Sequence, residues 1–131
     1  MFARRIAVVG TGYVGLTTGA CLASLGHTVV CADIDEAKVA RLCQGEVDVL
    51  EPGLAELVSE GLAAGRLSFV LGAPAALQGP AGPAEVVFLC LPTPMGVGGV
   101  ADLSAVQAVV EEIRTALAPH SVVVNKSTVP V

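Results

Sequence analysis

A glycine-rich turn near the amino terminus is the first candidate for chemistry. Gly10, Gly12 and Gly15 form a G-x-G-x-x-G motif that follows an apolar run and opens a segment of helical character. The first glycine makes a tight turn, the second lets the backbone approach a pyrophosphate, and the third allows close packing of helix on strand. Because the free N–H groups and the positive end of such a helix bind phosphate oxygens, the motif predicts a dinucleotide site. Its residues are Gly10, Thr11, Gly12, Tyr13, Val14 and Gly15.

Asp33, which follows the second apolar run, is the next candidate. It lies about 20 residues beyond the glycine motif, where dinucleotide-binding proteins carry an acid. A carboxylate there accepts hydrogen bonds from the ribose hydroxyl groups of an adenosine and repels a 2′-phosphate, so the pattern favours NAD over NADP. The alternative is a glycine turn followed by an aspartate that only caps a helix. The combination of strand, spacing and acid favours the dinucleotide site.

Three further segments carry polar residues near the predicted ends of strands or in a helix beside them. Lys38 could turn toward the adenosine, although its spacing alone favours a solvated surface lysine. Thr93 stands between Pro92 and Pro94, and it either faces the cofactor or belongs to a loop that ends a strand. Lys126 is either a phosphate contact or a surface residue. It begins the last segment, which follows a strand and continues with Ser127, Thr128, Val129 and Pro130.

The candidates need strands to place them, and the apolar pattern predicts these strands. The segments predicted as strands are 6–9, 28–32, 67–70, 85–91 and 121–125. The segments predicted as helices are 13–25, 35–43, 52–62, a short one within 72–83, and 103–117. Because the strands lack polar alternation, both sheet faces must be covered. The order of elements therefore predicts an α/β fold, a Rossmann-type doubly wound parallel sheet, with the candidate residues along the rim formed by the carboxyl ends of its strands.

Two of the predicted helices have apolar residues that indicate a buried face. In 13–25 these are Val14, Cys21, Leu22 and Leu25, and Gly26 ends the helix as a C-cap. In 103–117 Asp102 is the expected N-cap and Pro119 the stop. The apolar stripe between them has helical spacing and consists of Leu103, Val106, Val109, Val110, Ile113 and Leu117.

Composition limits the class of protein. The 131 residues suit one domain, and 53% hydrophobic against 15% charged residues excludes a disordered chain. A net charge of −5 and only 3% aromatic residues argue against a nucleic-acid partner. The apolar stretch after Arg4 and Arg5 is interrupted by glycines and threonines, so neither a secretory signal nor a membrane span is expected.

The four cysteines, at positions 21, 31, 43 and 90, form no C-x-x-C pair. Zinc ligation and a thioredoxin-like motif are therefore unsupported, and no metal site is expected. Cys21, Cys31 and Cys90 lie in apolar segments and are expected to be buried reduced thiols. Reduced thiols suit a cytoplasmic protein.

Taken together, these residues resemble the amino-terminal part of the UDP-glucose/GDP-mannose dehydrogenase family. The resemblance covers essentially the whole chain and rests on segments more specific than the glycine motif. The segments are 10–16, Asp33 with Lys38, Glu51-Pro52-Gly53-Leu54, Leu91-Pro92-Thr93-Pro94, 101–103 and 125–130. The Glu-Pro-Gly-Leu and Ala-Asp-Leu segments are most similar to the UDP-glucose branch, with GDP-mannose and UDP-N-acetylmannosamine relatives left open.

The resemblance implies an NAD-dependent oxidation of the C6 alcohol of a nucleotide sugar to a carboxylate, in two hydride transfers. It also implies that Val14, Asp33, Lys38, Thr93 and Thr128 line the NAD site, with Thr128 near the reacting centre. The neighbouring cofactor-binding residues by the same resemblance are Leu91, Pro92, Pro94, Ser127 and Val129. UDP-glucose is the implied substrate, and a homo-oligomer is the implied assembly.

The family's thiol nucleophile lies in a later domain, within a Gly-x-Cys segment, and none of the four cysteines has that context. We therefore expect residues 1–131 to be an amino-terminal fragment, the NAD-binding part of such an enzyme truncated before the end of its Rossmann-type domain. We expect it to lack the substrate and dimerisation domains and to be inactive alone. Two alternatives stay open: a stand-alone NAD-binding regulatory module, and a β-hydroxyacid-type dehydrogenase with the same nucleotide fold.

Overall fold

The computed structural model describes residues 3–48, 51–79, 82–91 and 104–126, which contain seven strands and five helices. The strands are β1 (Arg5–Val9), β2 (Thr28–Asp33), β3 (Leu67–Leu71), β4 (Gln78–Gly79), β5 (Gly82–Pro83), β6 (Val86–Leu89) and β7 (Val122–Asn125). The helices are α1 (Tyr13–Ser24), α2 (Glu36–Cys43), α3 (Leu54–Ala63), α4 (Ala73–Leu77) and α5 (Ser104–Ile113). None of the helices in the described segments has the length and apolar character needed to span a bilayer.

One parallel sheet organises the fold, with the strand order β3-β2-β1-β6-β7. Every neighbouring pair in it is parallel. The chain moves outward from β1 to β3 and then crosses to β6 on the other side of β1, so the direction of winding reverses between β1 and β6. In open α/β sheets this reversal leaves a crevice at the carboxyl ends of the strands, where ligands bind. The predicted Rossmann-type sheet is confirmed.

The sheet separates two apolar clusters, one on each face. Ile6 and Val8 of β1 pack into the first, together with α1, α2 and α3. Ala7 and Val9 pack into the second, together with α4 and α5. Because successive side chains of a strand point to opposite faces, β1 is apolar throughout, as a sheet covered on both sides requires.

Strand β7 departs from this pattern, because Val122 and Val123 are exposed. The expectation that all five strands are covered on both faces is therefore wrong at this position. The physical reason is the place of β7 in the sheet. It is one of the two edge strands of this sheet, and among the described residues it pairs with β6 alone.

Helix α1 presents a different face to the sheet from the one that its larger apolar residues predict. Val14 and Leu25 are 45% and 57% exposed, Cys21 is also exposed, and Leu22 is partly buried. The buried face consists of Gly15, Leu16, Gly19, Ala20 and Ala23. Small residues are selected there because the helix lies close to the sheet: a Cβ on Gly19 would stand 2.6 Å from Cys31 Sγ. Close approach, rather than side-chain size, decides the buried face.

Element boundaries differ from the predictions mainly at the helix ends. Helix α3 begins at Leu54 instead of position 52, after Gly53 with a positive φ of 82°. Helix α5 ends at Ile113, before Leu117, and Val110 of its predicted stripe is exposed. Gly26 follows α1 with a φ of 104°, as predicted for a C-cap. Asp102, the expected N-cap of α5, lies outside the described residues.

We predict that Gly19→Val destabilises the protein by about 1–3 kcal/mol, because the added side chain overpacks the α1–β2 contact. Urea unfolding followed by circular dichroism measures this change. Cys21→Ala, on the exposed face of the same helix, is the matched control and should stay within about 0.5 kcal/mol of the unsubstituted protein. Equal free energies of unfolding for the two variants would contradict the close-approach argument.

Candidate dinucleotide-binding site

A cavity of about 680 Å³ opens at the carboxyl edge of the sheet, beside the reversal between β1 and β6. This volume is within the range of small-molecule sites, about 300–1,000 Å³. Its wall includes the glycine-rich turn, Asp33, Lys38, Leu91 and Lys126. The structure therefore brings together the described members of the predicted rim. Six other predicted residues lie outside the described part of the chain, namely Pro92, Thr93, Pro94, Ser127, Thr128 and Val129.

Two glycines of the motif are required by the fold itself. Gly10 has a φ of +102°, and a Cβ on it would overlap the carbonyl oxygen of Cys90 at the end of β6. A Cβ on Gly15 would overlap the carbonyl oxygen of Gly10. These contacts hold the turn against the sheet edge.

The second glycine, Gly12, has a different environment. It is the N-cap of α1, and no atom lies within 4 Å of the position a Cβ would take. The first turn of α1 has no acidic residue and no side-chain cap, so its N–H groups, which no helix satisfies internally, remain donors for a ligand. A pyrophosphate fits this open, positively polarised end of the helix.

Asp33 is held by a dense set of donors at the end of β2. Its Oδ2 accepts hydrogen bonds from the backbone N–H of Thr11 at 3.1 Å and from the Thr11 hydroxyl at 2.5 Å. Its Oδ1 accepts from the N–H groups of Ile34 at 2.8 Å and Asp35 at 3.1 Å. Lys38 Nζ lies 3.8 Å from Oδ2. The carboxylate is thus fixed in orientation by donors in the turn after β1 and by donors at and before the start of α2.

These contacts determine the charge of Asp33. Partial burial raises the pKa of this carboxyl, but the hydrogen bonds from Thr11 and Asp35 and the positive charge of Lys38 lower it further than burial raises it. The net pKa lies below the ordinary value of 3.8, so Asp33 is ionised at neutral pH. An ionised carboxylate accepts hydroxyl hydrogens and repels a phosphate.

Two sequence candidates have roles in the structure that spacing alone did not indicate. Thr11, a predicted cofactor-binding residue, lines the cavity, but it is 1% exposed and both of its donors point at Asp33. Lys38, whose spacing favoured a solvated position, contributes to the cavity wall and pairs with Asp33. Helix α2 begins at the N-cap Asp35, which accepts from the N–H of Lys38, and this local cap turns the lysine toward the site.

Tyr13 connects the glycine turn to the Glu-Pro-Gly-Leu segment. Its hydroxyl donates to Glu51 Oε2 at 3.2 Å, across the sequence from α1 to the start of α3. This hydrogen bond to a carboxylate raises the pKa of Tyr13. The contact gives Glu51 a position beside the cavity rim, which sequence spacing did not show.

Sequence reasoning missed one wall of the cavity. Ala105, Ala108, Val109 and Glu112 line it from α5, together with Ala73 of α4. The positions on α5 have the spacing i, i+3, i+4 and i+7, so they share one helical face. This spacing could have predicted the cavity wall from the sequence, but the apolar stripe with larger residues on the same helix indicated only a buried face. Ile34, 88% exposed beside Asp33, adds a further apolar surface.

The cysteines divide into two classes that differ partly from the expectation. Cys31 is fully buried, and burial raises its pKa to about 12. Burial also raises the pKa of the half-buried Cys90, partly offset by Lys126. Cys21 and Cys43 are exposed, so the expectation that Cys21 is buried was wrong. It fails because the face of α1 that lies against the sheet carries Leu16, Gly19 and Ala23, and Cys21 lies outside that face.

Comparison with known proteins places this geometry in a family. The model of the UDP-glucose/GDP-mannose dehydrogenase family NAD binding domain matches residues 4–131. The chain belongs to this family. Its match is to the NAD-binding domain, so NAD is the cofactor of the domain type that the chain represents. The glycine turn, the open amino terminus of α1 at Gly12 and the ionised Asp33 all fit that cofactor.

Curated relatives in the family are dehydrogenases of nucleotide sugars. The chain is 44% identical over 128 residues to UDP-glucose 6-dehydrogenase TuaD of Bacillus subtilis, covering 98% of this chain and 27% of that protein. It is 47% identical over 127 residues to UDP-glucose 6-dehydrogenase of Pseudomonas aeruginosa, covering 97% and 27%. The chain therefore spans about a quarter of the length of these relatives.

Solved structures agree with the family assignment. A UDP-glucose dehydrogenase from Pyrobaculum islandicum superimposes with a TM-score of 0.89 at 36% identity, covering 98% of this chain and 30% of that one. GDP-mannose dehydrogenase from Pseudomonas aeruginosa gives a TM-score of 0.85 at 35% identity, covering 95% and 28%. A 3-hydroxyisobutyrate dehydrogenase of Mycobacterium tuberculosis, with a TM-score of 0.61 at 23% identity, shares the fold alone.

The four thiols of this family member should differ in reactivity. We predict that Cys21 and Cys43 react with N-ethylmaleimide in the folded protein, because they are exposed, whereas Cys31 reacts only after denaturation. Peptide mass spectrometry after a timed reaction at pH 7 measures the label at each site. Rapid labelling of Cys31 in the folded protein, with Cys21 protected, would contradict the packing of α1 on the sheet.

Proposed function

We propose that this chain binds NAD in the cavity at the carboxyl edge of the sheet and forms the NAD-binding part of an enzyme that oxidises UDP-glucose to UDP-glucuronate. One observation carries the proposal: the ionised Asp33 carboxylate and the open amino terminus of α1 line the same cavity. The similarity to proteins named UDP-glucose 6-dehydrogenase, at 44% and 47% identity, supports the choice of reaction. Bound here, NAD would supply the hydride acceptor.

The pyrophosphate of NAD is assigned to the first turn of α1 and the adenosine ribose to Asp33. Gly12 leaves room for the phosphates, and the N–H groups of the turn bind them. Asp33 would accept the ribose hydroxyl hydrogens, and Lys38 reduces the cost of holding this carboxylate in a partly buried position. The adenine would then lie against Ile34 and the small residues of α4 and α5.

Asp33 also provides a reason for selecting NAD over NADP. Its carboxylate is held at a fixed place by hydrogen bonds from two sides and is ionised at neutral pH. A 2′-phosphate at the same ribose would bring two like charges together in a partly buried site. The cavity therefore favours a ribose that carries a free 2′-hydroxyl.

The remaining assignments extend the proposal to residues near the cavity and to two chain segments that follow β6 and β7 in the sequence. Leu91 and Val14, the latter in the first turn of α1, line the cavity. The residues proposed to complete the cofactor site are Pro92, Thr93, Pro94, Ser127, Thr128 and Val129, with Thr128 near the reacting carbon. They follow β6 and β7, whose carboxyl ends reach the same edge of the sheet.

The substrate, assembly and location are inferred from the relatives and the thiols. UDP-glucose is preferred to GDP-mannose because proteins named GDP-mannose 6-dehydrogenase are 34% and 35% identical, below the UDP-glucose relatives above. We propose a cytoplasmic enzyme, since the four cysteines are unpaired, and a homo-oligomer of the complete enzyme.

We expect Asp33→Asn to weaken NAD binding on the order of 10- to 100-fold, because the neutral amide keeps the shape but loses the charged acceptor. The substitution should also narrow the difference in affinity between NAD and NADP. Titration calorimetry at pH 7 with both cofactors measures these changes, and Asp48→Asn, on an exposed surface ion pair, is the control. An unchanged NAD affinity in Asp33→Asn would contradict the assignment of the adenosine ribose to Asp33.

The reaction itself is tested with the complete gene product. We expect it to produce two NADH for each UDP-glucose, followed by absorbance at 340 nm, and to prefer UDP-glucose to GDP-mannose. Residues 1–131 alone are expected to bind NAD without turnover, because the resemblance assigns the nucleophilic cysteine to a later domain. Turnover of GDP-mannose in preference to UDP-glucose would reject the proposed substrate.

A further inference from the structure

Thr11 is unusual among the residues of the glycine turn. Among the described residues, Thr11 is the one polar residue that is buried as a whole, with 1% of its surface exposed. Its hydroxyl has rotational freedom and could have faced the cavity, but it donates to Asp33 Oδ2 at 2.5 Å instead. Its backbone N–H donates to the same oxygen at 3.1 Å. Both donors of one residue therefore serve one carboxylate oxygen.

This arrangement links the ends of two strands. Thr11 follows β1 and Asp33 ends β2, and the bonds to Ile34 and Asp35 hold the other carboxylate oxygen. The carboxylate plane is consequently fixed by donors on both sides, before any ligand arrives. A carboxylate that is already oriented loses less freedom when it accepts a ribose, which favours binding.

We propose that Thr11 is a positioning residue: its hydroxyl orients the Asp33 carboxylate, and it thereby sets the preference for NAD over NADP. The inference rests on the proposed function of Asp33 as the ribose acceptor. It gives Thr11 a role in support of the residue that binds.

The charged groups around Asp33 predict how NAD binding should depend on pH. Within the described residues the charged group that faces it is Lys38 of α2, at 3.8 Å, while Asp35 caps the same helix with its side chain. The Thr11 hydroxyl lowers the pKa of Asp33 more than any other favourable contact. Without this hydroxyl, less remains to offset the rise in pKa that burial causes, so Asp33 would take up its proton at a higher pH. Because NAD binding needs the ionised form, its loss on acidification should then begin at a higher pH.

The test compares Thr11→Val with Thr11→Ser. The valine variant keeps the shape and removes the hydroxyl, whereas the serine variant keeps the hydroxyl. For Thr11→Val we expect the Kd for NAD at pH 7 to rise on the order of tenfold, a smaller ratio between the Kd values for NADP and NAD, and a higher acid midpoint of binding. Thr11→Ser should restore all three quantities to within about twofold or a few tenths of a pH unit.

Thr17→Val is the matched control on the same chain segment. The Thr17 hydroxyl is buried and has no hydrogen-bond partner among the described residues. Its removal should leave the Kd and the acid midpoint unchanged. If Thr11→Val does not fold, as judged by circular dichroism, Thr11→Ala replaces it in the same titrations.

The outcomes separate the inference from the function on which it rests. Equal weakening of NAD and NADP by Thr11→Val, with an unchanged acid midpoint, would show a structural role only and overturn the inference. Unchanged NAD binding in Thr11→Val, with loss in Asp33→Asn, would also overturn the inference and leave the proposed function standing. Unchanged binding in both variants would reject the ribose assignment itself.

Discussion

The contact between the glycine-rich turn and the sheet edge is the constraint on which the site depends. A side chain on Gly10 would overlap the Cys90 carbonyl, and one on Gly15 would overlap the carbonyl of Gly10. The turn can therefore lie flat across the ends of β1 and β6, where the winding of the sheet reverses. This position exposes the amino terminus of α1 to the cavity. The small residues along α1 continue the same close approach farther from the site.

Electrostatics complete what close packing begins. The protein carries a net charge of −5, yet its cavity suits a phosphate-containing ligand. The helix end contributes backbone N–H donors, and Lys38 and Lys126 contribute positive charge at the wall. Two carboxylates, Asp33 and Glu112, also line this cavity. Hydrogen bonds and the positive charge of Lys38 offset part of the free-energy cost of keeping Asp33 ionised in a partly buried position. A ribose hydroxyl needs a hydrogen-bond acceptor such as this carboxylate, whereas the phosphates need donors.

The family assignment and the geometry support each other at different levels. The family match covers residues 4–131 and concerns the NAD-binding domain, while the relatives are about four times longer than this match. The fold alone is shared with a more distant dehydrogenase that acts by its name on 3-hydroxyisobutyrate. Function therefore has to be argued from the site. Asp33, the glycine turn and the α5 wall are the cavity features on which the proposed NAD site rests.

The sequence by itself determined the order of the helices and of the five strands in the parallel sheet, the glycine turn and the place of Asp33, because these follow from local patterns and short spacings. It did not predict the two-residue strands β4 and β5. Tertiary structure decided which face of α1 is buried, since that depends on how close β2 lies, and it exposed Cys21 as a result. It also decided that the Thr11 hydroxyl serves Asp33 and that α5 forms a cavity wall. Such contacts join residues far apart in the chain. Local propensity carries no information about them until the sheet sets the distance between its strands and helices.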